Sequence, residues 1–203
     1  MKLFHRACKI TAVSVVFCSA LLPGKVQAHL VTTGMGPIYD GTGHLLLTPE
    51  DLIPVLATAL YAGLQGREYG RYVLFLLPLS WFLAGLLGLG IEQLPALTYG
   101  SFSFLFLGLL IATDTRIPLW GLLPVTAGVG ILHGVFNGLA MKAGAGVLGL
   151  VGIMFTVFVV VALVSSLAVV CNHSLGKILL RVMGSWIAAS GLLMIGWFFR
   201  TQS

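Results

Sequence analysis

Residues 118–140 read PLWGLLPVTAGVGILHGVFNGLA, a long apolar run without an Asp, Glu, Lys or Arg. A helix needs about 20 such residues to cross the hydrocarbon core of a bilayer. Backbone groups in lipid must hydrogen-bond to one another, so the run is expected to be helical. Five further runs occur at residues 52–64, 72–91, 94–112, 147–170 and 178–199. The sequence therefore predicts an all-α integral membrane protein, a bundle of six transmembrane helices.

The composition agrees with this class. Hydrophobic residues make up 58% of the chain and charged residues only 8%, whereas soluble domains carry about 45–50% and roughly 25%. So few charges cannot cover a globular surface, which excludes a soluble enzyme. The high apolar content also excludes a disordered chain.

The first 28 residues have the pattern of a cleaved secretory signal peptide. Three basic residues precede an apolar segment, residues 10–22, that is too short to span a bilayer. Small residues then stand at both key positions of a cleavage site, residues 26–28. An uncleaved N-terminal anchor is the alternative. We thus expect a signal peptide over 1–28, an extracytoplasmic segment with metal ligands over 29–51 and the six-helix domain over 52–203.

Cleavage would change the charge of the chain. The signal peptide holds four of the eleven basic residues and none of the six acids, so the remainder has a net charge of only +1. The sequence therefore predicts no nucleic-acid partner. Cys171 would be the only cysteine left, and no internal disulfide could form.

Basic residues in the connectors predict the orientation, because they favour the inner side of a membrane. The predicted inner connectors carry Arg67, Arg71, Arg116, Lys177 and Arg181, and the outer side carries Lys142 and Arg200. We expect a multi-pass protein of a bacterial inner membrane with both mature termini on the periplasmic side.

Ionisable residues in membrane spans are costly and mark functional sites. The chain offers a set of polar residues that this topology brings to the outer leaflet: His29, His44, Glu50, Asp51, His133 and Asn137. Imidazole with carboxylate suits a divalent transition metal such as nickel, cobalt, copper or zinc. Cleavage would also make His29 the N-terminal residue, with its amine and imidazole free to chelate.

Some polar residues of this end also have a plainer interpretation. In it, Glu50 and Asp51 serve only the N-terminus of a helix that Thr48 caps and Pro49 begins, and His133 forms an interhelical hydrogen bond. A further acid, Asp40, precedes a glycine and makes a turn in this interpretation.

Three glycines at intervals of four, Gly130, Gly134 and Gly138, form a ridge on one predicted helix. Small residues let helices approach closely in membranes. The ridge is typical either of a discontinuous or moving helix in a transport path or of tight static packing.

Two stretches resemble motifs of the HupE/UreJ family. Residues 44–52, HLLLTPEDL, resemble a motif with a His-Pro pair, a Gly and then Asp-His-Leu; His44 and Leu52 match, Glu50 stands for the Asp and Asp51 for the His. Residues 132–138, LHGVFNG, resemble a second motif with a Phe-His-Gly start.

In the second motif the His-Gly pair and the later Gly match, while Val135 and Asn137 stand where the family has histidines. The resemblance implies a small membrane protein associated with hydrogenase or urease gene sets and regarded as a nickel or cobalt permease. It implies the metal ion and the lipid bilayer as partners.

The leading hypothesis is therefore a permease or metal-handling protein, not an enzyme. One alternative is a non-transporting accessory or assembly subunit of a larger membrane metalloenzyme complex. Another is an intramembrane metal hydrolase, since His and Asp on separate helices could hold zinc and activate water.

Overall fold

The computed structural model describes residues 33–93, 99–171 and 174–202. Within this part of the chain there are seven helices and no strand: α1 (Pro37–Leu47), α2 (Pro49–Gln65), α3 (Arg67–Leu89), α4 (Tyr99–Thr113), α5 (Leu119–Met141), α6 (Gly146–Val170) and α7 (Ser174–Gln202). The predicted all-α class is confirmed. The predicted signal peptide lies outside the described residues.

The number of membrane spans differs from the prediction of six. Among the described residues, α3, α5, α6 and α7 are long and apolar enough to cross a membrane. The pair α1 and α2, bent by 76° at its break, would give a fifth span if it counts as one. The helix α4 is apolar but has only 15 residues, fewer than the roughly 20 that a span needs. The described residues thus support four or five spans of a multi-pass membrane protein.

The helix α1 has no counterpart among the predicted elements. Pro37 stands at its start, and Asp40 in its first turn accepts hydrogen bonds from the main-chain N and the Oγ1 of Thr33, at 2.6 and 2.7 Å. The prediction of a turn at Asp40 is therefore wrong. The helix ends before Thr48, which is extended, as expected of a residue that precedes a proline.

The helix α2 starts at the predicted residue. Thr48 occupies the N-cap position, although its side chain makes no capping hydrogen bond, Pro49 begins the helix, and Glu50 and Asp51 lie in its first turn. The predicted domain boundary between residues 51 and 52 consequently falls inside α2, so the described residues on its two sides are continuous in structure.

Successive helices run in alternating directions through the bundle. Tyr61 and Gln65, near the end of α2, donate hydrogen bonds to the carbonyl of Thr115 at 2.7 and 2.9 Å, and Arg181 donates to the carbonyl of Ala112 at 2.9 Å. At the opposite end, Lys142 donates to the carbonyl of Ile91. The described connectors with the predicted inner arginines therefore lie at one end of the bundle, and Lys142 lies at the other.

The glycine ridge of α5 packs directly on α3. A Cβ added at Gly134 would collide with the main-chain carbonyl of Trp81, and one at Gly138 with the carbonyl of Gly85. The helix α5 is continuous through the ridge, which excludes the discontinuous form of the transport alternative. The contact is a close backbone-to-backbone seam, as the packing alternative predicts.

The close contact between α3 and α5 allows a prediction about the thermal stability of the protein. Gly134→Ala should lower the thermal unfolding midpoint in detergent, since main chain cannot move aside and overpacking typically costs 1–3 kcal/mol. Gly128→Ala is the matched control on the same helix, because a Cβ there meets nothing within 4 Å; it should leave the midpoint unchanged or raise it. Equal midpoints for the two variants would contradict the seam.

Candidate metal-binding site

Three of the predicted site residues meet where α1, α2 and α5 come together. His44 lies in the last turn of α1, Asp51 lies in the first turn of α2, and His133 lies on the buried face of α5. The sharp bend at Thr48 turns the end of α1 back toward the start of α2. All three side chains are buried, with at most 6% of the residue exposed.

Asp51 lies between the two imidazoles and presents one carboxylate oxygen to each. Its Oδ1 is 2.9 Å from Nδ1 of His133, a hydrogen bond. Its Oδ2 is 3.8 Å from Nε2 of His44, which is an ion-pair distance but too long for a hydrogen bond. A buried carboxylate needs such partners, because desolvation without them is expensive.

The imidazole of His133 is held from two further directions. Its Nε2 is 3.1 Å from the hydroxyl of Ser103 on α4. The indole of Trp81 on α3 stacks on it, with ring centroids 5.2 Å apart and planes inclined by 25°. A carboxylate bonded to the far nitrogen of a histidine is a common way to orient a metal-binding ring. Here, however, both ring nitrogens already have partners within the bundle.

Asn137 stabilises the main chain at His133. Its Nδ2 donates a 3.0 Å hydrogen bond to the main-chain carbonyl of His133, so it holds the backbone rather than the imidazole. Its buried Oδ1 has no hydrogen-bond partner among the described residues. The sequence correctly placed Asn137 on the buried face that carries His133.

The other two predicted ligands do not join the cluster in the described part of the chain. Glu50 is partly exposed and lies beside Gly100 of α4, where an added Cβ would be 3.5 Å from the Cβ of Glu50. No hydrogen bond or ion pair joins Glu50 to His44, Asp51 or His133 among the described residues. His29 lies outside them.

Sequence reasoning missed Ser103 and Trp81, which touch His133 directly, and Thr126, whose buried Oγ1 lacks a hydrogen-bond partner among the described residues. Thr126 stands seven residues before His133, two helical turns along the same face. A hydroxyl within an otherwise apolar run is the signal that could have identified Ser103 and Thr126. No comparable signal marks Trp81.

The geometry can be compared with what a metal requires. Metal–ligand bonds of about 2.0–2.2 Å put two neighbouring donor atoms about 3.0–3.4 Å apart. The nearest free pair, Nε2 of His44 and Oδ2 of Asp51, is 3.8 Å apart, so a shift of roughly half an ångström would bring both onto one ion. Among the described residues, no group of three or more His, Cys, Asp and Glu side chains could hold a metal ion as it stands.

A model of the HupE / UreJ protein family matches residues 16–194, most of the chain. The chain belongs to the HupE/UreJ family. Neither a curated protein nor a solved structure matches it. The matched range contains both stretches that resemble the family motifs, and this HupE/UreJ protein brings residues from the two stretches into contact through Asp51 and His133.

The hydrogen bond to Asp51 predicts the protonation of His133. A carboxylate accepts, so Nδ1 of His133 should carry a proton whether or not the ring is charged. Nitrogen NMR on histidine-labelled protein, with the resonance assigned by its loss in His133→Gln, should show a protonated Nδ1.

Two variants separate the contacts of this ring. Asp51→Asn should shift the Nδ1 resonance, whereas Ser103→Ala should shift mainly Nε2. A bare Nδ1 in the wild-type protein would contradict the assigned hydrogen bond.

Proposed function

We propose that this HupE/UreJ protein moves a divalent transition-metal ion, nickel- or cobalt-like, across the membrane and treats the ion as cargo. The observation that carries the proposal is the Asp51 carboxylate with an imidazole at each oxygen. Burying three ionisable side chains among apolar helices is costly and is seldom retained without a function. Imidazole and carboxylate are donors that nickel, cobalt and zinc accept.

Only part of the donor set would hold the ion. Nε2 of His44 and Oδ2 of Asp51 are the pair that can close on it, while Oδ1 keeps its hydrogen bond to His133. His29 at the mature N-terminus is a proposed third ligand. A site with few protein donors suits a permease, because an ion must bind well enough to enter but weakly enough to leave.

Polar atoms on the buried face of α5 support a route beyond the site. Oγ1 of Thr126 and Oδ1 of Asn137 lie on either side of His133 along the helix, and both lack hydrogen-bond partners among the described residues. An unsatisfied buried polar atom costs about 1–3 kcal/mol, and hydrogen bonds to the water around a partly hydrated ion would offset that cost.

The test is metal entry into liposomes that contain only this protein. Ni²⁺ or Co²⁺ added outside should quench a trapped metal-sensitive dye faster than in empty liposomes. His44→Ala and Asp51→Asn should each reduce the rate at least tenfold, because the first removes one of the two closing donors and the second replaces the carboxylate with a neutral, weaker amide oxygen. Glu92→Gln, a carboxylate that is exposed at the same end of the bundle, should keep the wild-type rate.

Binding measured on the same samples separates the two leading functions. Saturable Ni²⁺ binding that depends on Asp51, but without any flux, would replace the permease by the accessory or assembly role. Wild-type flux in the Asp51→Asn variant would refute the site itself.

A further inference from the structure

A large cleft opens on the side of the bundle between α3 and α5, at the end opposite the His–Asp cluster. Its volume is about 1120 Å³, above the roughly 300–1,000 Å³ of most small-molecule sites. Its walls are apolar and include Phe75, Leu76, Leu79, Leu123 and Pro124. Phe75 and Leu79 are 65% and 51% exposed, so the cleft faces the surroundings of the helices.

The mouth of this cleft is positively charged. Arg67 and Arg71 line it together with Tyr72 and one acid, Glu68. The two arginines are four residues apart and share one face of the helix. Both are exposed, and neither has an ion pair among the described residues. They also line a second, smaller cleft of about 350 Å³ between α3 and α6, so the charged pair is shared by both grooves.

We propose that the α3–α5 cleft binds an anionic phospholipid. The phosphate would lie against Arg67 and Arg71, whose guanidinium groups suit phosphate oxygens geometrically and electrostatically. An acyl chain would lie along the apolar walls. The positive N-terminal end of α3 adds to the attraction for an anion.

Charge and position favour this occupant over others. A free phosphate or a soluble anion would use the arginines but leave the apolar walls unexplained. A second copy of the chain would have to bring a carboxylate to the arginines, and among the described residues of this end the only acids are Glu68, which lines the same cleft, and Asp114. Anionic lipids are concentrated at the cytoplasmic leaflet, and the sequence predicts that this connector faces that side.

Native mass spectrometry of the detergent-purified, delipidated protein tests the site. Phosphatidylglycerol should give a one-lipid adduct that phosphatidylcholine of the same chains does not. The double variant Arg67→Gln/Arg71→Gln should weaken the adduct at least tenfold. The matched control is Arg116→Gln, an exposed arginine of a described connector at the same end that lines neither cleft.

A second pair of variants tests the acyl groove separately. Ala127 lines the cleft, so Ala127→Phe should fill it and weaken phosphatidylglycerol binding. A Cβ at position 128 meets nothing within 4 Å, so Gly128→Phe should leave phosphatidylglycerol binding unchanged. Thermal midpoints of all variants identify any that fail to fold.

Three results would overturn the proposal. They are equal binding of both lipids, an adduct that survives the double arginine variant, and competition by inorganic phosphate that matches the lipid at equal concentration. A protein dimer that the arginine variant disrupts, in place of a lipid adduct, would assign the cleft to a second copy.

Discussion

The buried carboxylate of Asp51 is the constraint on which the rest of the structure depends. A negative charge among apolar helices has to be compensated locally, and the compensation comes from two imidazoles on two other helices. The bend between α1 and α2 brings His44 to it. The glycine seam holds α5 against α3, so that His133 meets both Asp51 and the stacking indole of Trp81. The bend between α1 and α2 and the glycine seam between α3 and α5 therefore both position the residues of the site.

The long helices could be predicted because each has a local cause. Apolar runs of about 20 residues need a helix in lipid, and Pro49 sets the start of α2 because its fixed φ suits the first helical position. The helix α1 could not be predicted in this way, since tertiary contacts hold it. Gly41 packs on the carbonyl of Gly149, and Thr42 lies within hydrogen-bond distance of Gly152 and Thr156.

The same distinction applies to the site. Histidine and aspartate are rare in apolar spans, so His44, Asp51 and His133 could be selected from the sequence, and helix direction placed them at one end. The geometry of these three side chains could not be predicted from the sequence. The register between α2, α4 and α5 decides that the hydroxyl of Ser103 faces Nε2 of His133. The stacking of Trp81 on His133 could not be predicted from the sequence, because a tryptophan in a membrane helix is ordinary.

In the proposed permease, the two oxygens of Asp51 would link metal capture to His133. Both imidazoles belong to helices that glycine contacts hold in place, α1 against α6 and α5 against α3. The 3.8 Å distance between Nε2 of His44 and Oδ2 of Asp51 is therefore set by helix packing. Rotation of the Asp51 carboxylate is the smallest movement that narrows the gap. It moves Oδ1 as well as Oδ2 and so changes the length and angle of the hydrogen bond that Oδ1 keeps with His133. An ion bound between His44 and Asp51 would therefore change the hydrogen bond of Asp51 to His133. Through Nε2 of that ring it would also change the contact with Ser103 on a fourth helix.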